Sequence, residues 1–238
     1  MSDGARRRQA LRAFGKRLGL KATAAGECAM LDTALTHDSY VHEKSGRSAG
    51  LQSNERLEFL GDAALGLIVG RALHDRFAQE SEGRLSRRRA ALISRSALAQ
   101  TAQRVGIGLL LRLGKGESAA HGEQRPSILA AAFEAIVGAV YVTEGFEAAA
   151  RFVERQHLAH AASVSAADPK TALQELTQER FSKTPSYATS GESGPPHSRV
   201  FSATVSIDGD VLGKGSGPTK KQAQTQAAAE ALHRLRSS

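Results

Sequence analysis

One cysteine, no tryptophan, six prolines and 5% aromatic residues make this 238-residue chain poor in the residues that usually staple or kink a fold. Cys28 alone can form neither an intramolecular disulfide nor a thiolate metal cluster, so a reducing, cytoplasmic setting is expected. Acids are the scarcer charge: 24 Asp and Glu face 32 Lys and Arg, a formal net charge of +8. The resulting pI near 10 favours a polyanionic partner. Long hydrophobic runs are missing too. The most apolar stretch, Ser127 to Val142, is interrupted by Glu134 and short for a membrane span, so a core helix and no membrane partner are expected. Arg6, Arg7, Arg8 and Arg12 near the N-terminus are not followed by an apolar segment of signal-peptide type.

What is present falls into two grammars. From about Leu11 to Leu158, apolar residues recur at three and four, breaks fall at Gly or Pro, and period-2 alternation is absent, which predicts an all-α region over 1–160. Residues 161–169 are small and polar and end in Asp168-Pro169, the composition of a linker. Beyond them, 170–238 read as helix, three strands, helix. Lys170 to Phe181 is helical, and Ser186 to Ser190 is a short strand. Val200 to Ile207 alternates cleanly before the turn Asp208-Gly209-Asp210, and a third strand follows at Val211 to Gly215. Thr219 with Gln222 three residues on predicts a capping box for the last helix. Its apolar stripe, Ala223, Ala227, Ala228, Ala231, Leu232 and Leu235, is mostly alanine and requires close packing on the sheet.

The strongest conflict in the chain lies at Asn54-Glu55-Arg56-Leu57-Glu58-Phe59-Leu60-Gly61-Asp62. A segment apolar enough to be buried carries three carboxylates, and at 100° per residue Glu55, Glu58 and Asp62 fall within an arc of about 60°. Like charges at i,i+3 and i,i+4 repel, more steeply when partly buried, unless a cation lies between them. A divalent metal is the natural cation.

This run resembles the signature motif of the ribonuclease III family of double-stranded RNA endonucleases. Further segments agree with the family in order: Ala34-Leu35-Thr36-His37, Glu82-Gly83-Arg84-Leu85-Ser86 with Arg89-Ala90, Gly114-Lys115-Gly116-Glu117, and Ser127-Ile128-Leu129-Ala130 leading to Phe133-Glu134-Ala135. The C-terminal α-β-β-β-α unit resembles the double-stranded RNA-binding domain of bacterial members. The resemblance implies Glu58, Asp62 and Glu134 as ligands of Mg²⁺, or Mn²⁺ in its place, with Glu55 lining the same catalytic cleft. It implies a homodimer with Phe59 at its interface, no organic cofactor, and processing of ribosomal and other structured RNA precursors, with 5′-phosphates and short 3′ overhangs as products. Hard carboxylate ligands suit this chemistry, because Mg²⁺ keeps positions for water and substrate. One departure stands out: where the family has an Asp three residues before Glu134, this chain has Ala131. Either the remaining acids hold the metal at higher metal demand, or the protein binds duplex RNA without cutting it.

For the C-terminal unit the resemblance implies three contact patches. Gln174 and Glu175 on the first helix, and Pro195 and His197 in the loop 194–198, would face successive minor grooves, while Lys220, Lys221 and Gln224 would span the intervening phosphates. Two lysines at a helix N-terminus oppose its dipole, which makes most sense with an anion bound there. Arg84, Arg87, Arg88 and Arg89 are read either as a guide for the duplex or as a solvated face, Lys115 and Glu117 either as fold residues or as substrate contacts, and His37 as a packing histidine.

Overall fold

Pro126 starts a 19-residue helix whose residues from Ile128 to Val140 are nearly all buried, and the first unit is assembled around it. The computed structural model describes residues 2–20, 25–44, 50–161, 169–193 and 199–236. The chain divides into two units, Met1–Ser163 and Val164–Ser238. In the first, helices α1 (Asp3–Leu18), α2 (Ala25–Ala34), α3 (Asp38–Lys44), α4 (Glu55–Arg76), α5 (Glu82–Leu92) and α6 (Arg95–Val105) precede the short α7 (Lys115–Ala119) and the central α8 (Pro126–Glu144). Then α9 (Phe146–Val153) runs through a π-helical turn, Glu154–Leu158, into α10 (Ala159–Ala161). The expected all-α architecture is observed; among the described residues the one strand-like contact is a parallel bridge between Thr36 and Arg112.

Helix α8 is long and apolar enough to cross a membrane by composition, contrary to the expectation that it would be too short. Its apolar residues, however, are spent on the protein's own core: Leu129, Phe133 and Ile136 are fully buried. Helix α4 lies against it through Leu57, Gly61, Ala64, Leu65, Ile68, Val69 and Leu73, a stripe with helical spacing. The two helices touch backbone to backbone. A Cβ at Gly61 would overlap the carbonyl oxygen of Glu134, and one at Gly138 would overlap that of Leu57. Only glycine permits this approach, and Gly138 lies one turn beyond Glu134.

In the second unit, α11 (Pro169–Phe181) and α12 (Lys220–Arg236) accompany an antiparallel sheet of β1 (Ser186–Ser193), β2 (Val200–Ile207) and β3 (Asp210–Gly217), in the order β1-β2-β3. The outer strands run longer than expected because both edges of β2 are paired along its full length. Asp208 and Gly209 take positive φ of 51° and 92°, as a two-residue type I′ hairpin requires. The alanine stripe of α12 is buried, and β3 answers it with Gly213 and Gly215, whose absent side chains admit the backbone of Ala227 and Ala223. Thr219 caps α12 by accepting the Gln222 N–H at 3.2 Å. The second half of the box differs, because the Gln222 side chain accepts from the Thr219 hydroxyl at 3.1 Å instead of reaching its N–H.

Candidate active site and nucleic-acid interface

The glycine crossing decides where the acids go. Glu58 and Asp62 flank Gly61 on α4, and Glu134 presents the carbonyl that Gly61 meets, so the three acids rise from one backbone joint. Glu58 and Glu134 are half-buried, whereas Glu55 and Asp62 are exposed. None of Glu58, Asp62 and Glu134 forms an ion pair among the described residues, Arg56 beside them included.

Their electrostatics follow. Burial, reinforced by the charges of Asp62 and Glu58, pushes the Glu134 carboxyl up to about 7, with Arg95 opposing the rise. Glu58 is raised as well, by burial first and then by Glu55, with His37 acting in the other direction and Asp62 adding to the rise. Mutual repulsion without a counter-ion is the condition that a divalent cation relieves. The donors are all carboxylate oxygens, the chemistry preferred by hard cations. No three His, Cys, Asp or Glu side chains among the described residues, however, converge as a ready-made metal cage. The acids feel one another's charge but are not drawn to one point.

Ala131 is half-buried on α8, one turn before Glu134. Glu55 accepts from the Ser53 hydroxyl at 2.8 Å in the first turn of α4, a local contact at the helix start. Asn54, which opens that helix, is 2% exposed, and its Nδ2 donor meets no acceptor among the described residues. Sequence reasoning passed over this residue, although an asparagine at a helix start without a side-chain cap is a polar group whose hydrogen bond must go elsewhere.

The neighbouring basic and loop residues resolve unequally. Arg88 grips Glu80 bidentately at 2.7 Å, and Arg84 lies 3.8 Å from the same carboxylate. Those two arginines therefore hold the start of α5, and the duplex-guide reading keeps only Arg87 and Arg89 as exposed members. The Lys115 main-chain N–H donates to Glu43 at 2.6 Å while its side chain is 94% exposed, whereas the Glu117 carboxylate pairs with Arg125 at 3.0 Å, a fold-holding contact. Phe59 is 81% exposed on α4. It is not core, and Ala63 and the 62% exposed Leu67 continue its face at four-residue spacing.

In the second unit Lys220 and Lys221 are exposed at the first turn of α12. Lys220 sits 6.0 Å from the Phe201 ring centroid. Gln224, grouped with them by sequence, turns instead toward α11 and β1, accepting from Lys170 Nζ at 2.8 Å and donating to Thr189 at 3.3 Å. Gln174 is exposed on α11, and Glu175 lies in the next helical position. Pro195 and His197 fall outside the described residues.

Comparison with known proteins agrees with this geometry. The Ribonuclease-III-like family matches residues 27–161, and the double-stranded RNA binding motif matches 169–235. Ribonuclease 3 of Heliobacterium modesticaldum is 44% identical over 222 residues, covering 92% of each chain. The chain belongs to the ribonuclease III family. Ribonuclease 3 of Thermobifida fusca is also 44% identical, over 87% of this chain and 86% of its own length. The nuclease domain of ribonuclease III from Campylobacter jejuni superposes with a TM-score of 0.54 at 36% identity, covering 60% of this chain and 92% of that domain. That structure was described for the flexibility of its region involved in dimer formation. Like its relatives in the ribonuclease III family, this chain is an endoribonuclease, and it carries a double-stranded RNA binding motif after its nuclease region.

Proposed function

We propose that Glu58, Asp62 and Glu134 hold Mg²⁺, with Mn²⁺ a working substitute, and that the site hydrolyses phosphodiester bonds of double-stranded RNA. What such an ion supplies when bound is a water deprotonated near neutral pH and charge stabilisation at the attacking and leaving oxygens. The protein's part is to carry the acids on two helices locked at Gly61 and Gly138, to keep Glu58 and Glu134 partly dry, and to leave the cluster without an ion-pair partner. That uncompensated repulsion at a rigid joint is the observation that carries the proposal. Glu55 lines the approach without holding the ion, and a water replaces the missing carboxylate beside Ala131.

The remainder of the reading follows the same chemistry. Phe59, Ala63 and Leu67 form an exposed apolar face that a second copy would cover, giving a homodimer with one site for each strand. Residues 1–160 act as the nuclease domain, 161–169 as linker and 170–238 as the RNA-binding domain. There Gln174, Glu175, Pro195, His197, Lys220, Lys221 and Gln224 meet the duplex. Products carry 5′-phosphates and short 3′ overhangs, and the substrates are precursors of ribosomal and other structured RNAs in the cytoplasm.

Long duplex RNA incubated with the protein across a graded Mg²⁺ or Mn²⁺ series tests the core of this. Cleavage is expected, with a metal requirement that Ala131→Asp lowers. No cleavage at any metal level, together with cutting by Ala131→Asp, would overturn it and leave a duplex-binding protein.

A further inference from the structure

Two helices of the nuclease unit end in the same way and side by side. Gly19 closes α1 at φ 73° and Gly106 closes α6 at φ 77°, the left-handed conformation that glycine adopts freely. Each glycine is overlaid by an arginine. A Cβ at Gly19 would stand 3.0 Å from Arg155 Nη1 and 3.2 Å from its Cζ, and one at Gly106 would stand 3.3 Å from Arg17 Nη2. Hydrogen bonds stitch the three segments together: Arg17 donates to the Val105 carbonyl at 2.7 Å, Arg104 to the Gln156 carbonyl, and Gln156 Nε2 to the Leu18 carbonyl at 3.4 Å. Arg17, Arg104 and Arg155 are thereby gathered where α1 and α6 end, and all three are exposed.

A cation at a helix C-terminus is stabilised by the dipole, so capping alone accounts for one such arginine. It does not account for three together. No carboxylate pairs with Arg17, Arg104 or Arg155 among the described residues, and Glu154, next to Arg155 in the chain, is no exception. Arg151, also exposed and one turn before Arg155, adds a like charge at the i,i+4 spacing that repels. A guanidinium carries five N–H groups, and each of these three gives one to a carbonyl, Arg155 to that of Arg151 at 3.3 Å. The others meet no acceptor among the described residues. The patch also stands apart from the acids: Arg95, whose charge acts on Glu134, opens α6, whereas Arg104 lies in its last turn, about 14 Å further along the axis at the rise of an α-helix.

We propose that Arg17, Arg104 and Arg155 form a second RNA-backbone site on the nuclease unit, outside the acidic cleft, where their guanidinium forks take phosphate oxygens of a duplex. Phosphate is the occupant that the chemistry favours, because a fork held in one orientation by a carbonyl matches phosphate oxygens two at a time. Duplex RNA presents that group at every nucleotide. Binding of this kind is indifferent to sequence and steeply weakened by salt.

The test is the affinity of the full-length protein for a long labelled duplex in EDTA, read by fluorescence anisotropy across a salt series, alongside the thermal midpoint. Arg155→Gln removes a side chain whose one hydrogen bond to the protein lies within its own helix. It should keep the wild-type midpoint and lower the slope of log affinity against log salt by about one, and adding Arg17→Gln should lower it by about two, with binding about tenfold weaker at low salt. Arg17→Lys with Arg155→Lys should keep the slope but bind less tightly than the wild type, since a point charge replaces each fork. A wild-type slope in Arg155→Gln and in the double glutamine variant would overturn the proposal and leave the arginines as helix caps. Labelled polyglutamate separates the classes of partner: weak binding, equal in wild type and variants, is expected. Polyglutamate bound as tightly as RNA, and lost in the double variant, would overturn the RNA site and assign the patch to an acidic protein.

Discussion

In the nuclease unit two glycines bring together helices whose neighbouring acids repel; in the RNA-binding unit two glycines bring a strand against a helix whose facing residues are alanines. The device is the same and its energetics are opposite. Gly213 and Gly215 let β3 and α12 bury small apolar surface with no charge to accommodate, so closeness there adds only to stability. Gly61 and Gly138 force proximity on Glu58, Asp62 and Glu134, and part of the packing energy of α4 on α8 offsets that repulsion. Closeness that serves only the fold is met by apolar partners, whereas closeness at the proposed site is left with unmet charge.

The comparison breaks most visibly at the glycines. Gly61→Ala drives a methyl into the Glu134 carbonyl and should destabilise the nuclease unit by about 3 kcal/mol or more, while duplex binding by the second unit survives. Calorimetry of the full chain, paired with a filter-binding assay, checks both halves; a variant that melts like the wild type would mean that the helices can separate without loss. Glu134→Gln should lower cleavage by about a hundredfold or more, since the proposed ligand would lose its charge, with duplex affinity unchanged. Single-turnover rates at saturating protein measure it, and retention of wild-type rate would exclude Glu134 from the site.

On the other side of the comparison, Lys220→Ala with Lys221→Ala should weaken duplex binding about tenfold at low salt and reduce the salt slope by about one per lysine. Single-turnover cleavage at saturating protein should be untouched, and equal losses in both assays would show that the two units do not divide binding from cutting. The smallest effect concerns pH. The Glu134 carboxyl is raised from 4.5 to about 7, so the folded chain binds its proton more tightly than the unfolded chain. Its contribution to stability is therefore complete below pH 4.5 and is lost as pH rises through about 7. In EDTA the melting midpoint of the nuclease unit should fall across this window, and Glu134→Gln should flatten the fall. A slope of the same size in both proteins would place the responsible titration elsewhere.

Much of this was legible in the chain because the decisive signals are local. The shift from helical to alternating periodicity marks the second unit, Asp208-Gly209 marks its hairpin, and the alanine stripe of α12 announces an unusually short helix-to-sheet distance. The acids of α4 stand out because a buried segment rarely carries three carboxylates without cause. What sequence alone left open depends on contacts distant along the chain. Arg84 and Arg88 look like free cations until Glu80 is seen between them. Gln224 belongs by spacing with Lys220 and Lys221, but Lys170 and Thr189 draw its side chain elsewhere. His37 reads as a packing residue, and only the fold brings its turn to the start of α4. Asn54 lies inside the signature, yet its unmet donor becomes visible only once its burial is known.

Where Gly61 meets Glu134 and Gly138 meets Leu57, α4 and α8 touch through main-chain atoms, so at that crossing no side chain lies between them to be compressed or repacked. The separation of the acids is therefore a property of the peptide backbone, as fixed as the rise of a helix. Substitutions elsewhere in the core, at Leu11 or Leu98 for example, can erode the melting temperature while leaving the dimensions of the cleft as they were. Metal preference and thermal tolerance can then drift independently in this chain, with the two glycines as the positions where they cannot.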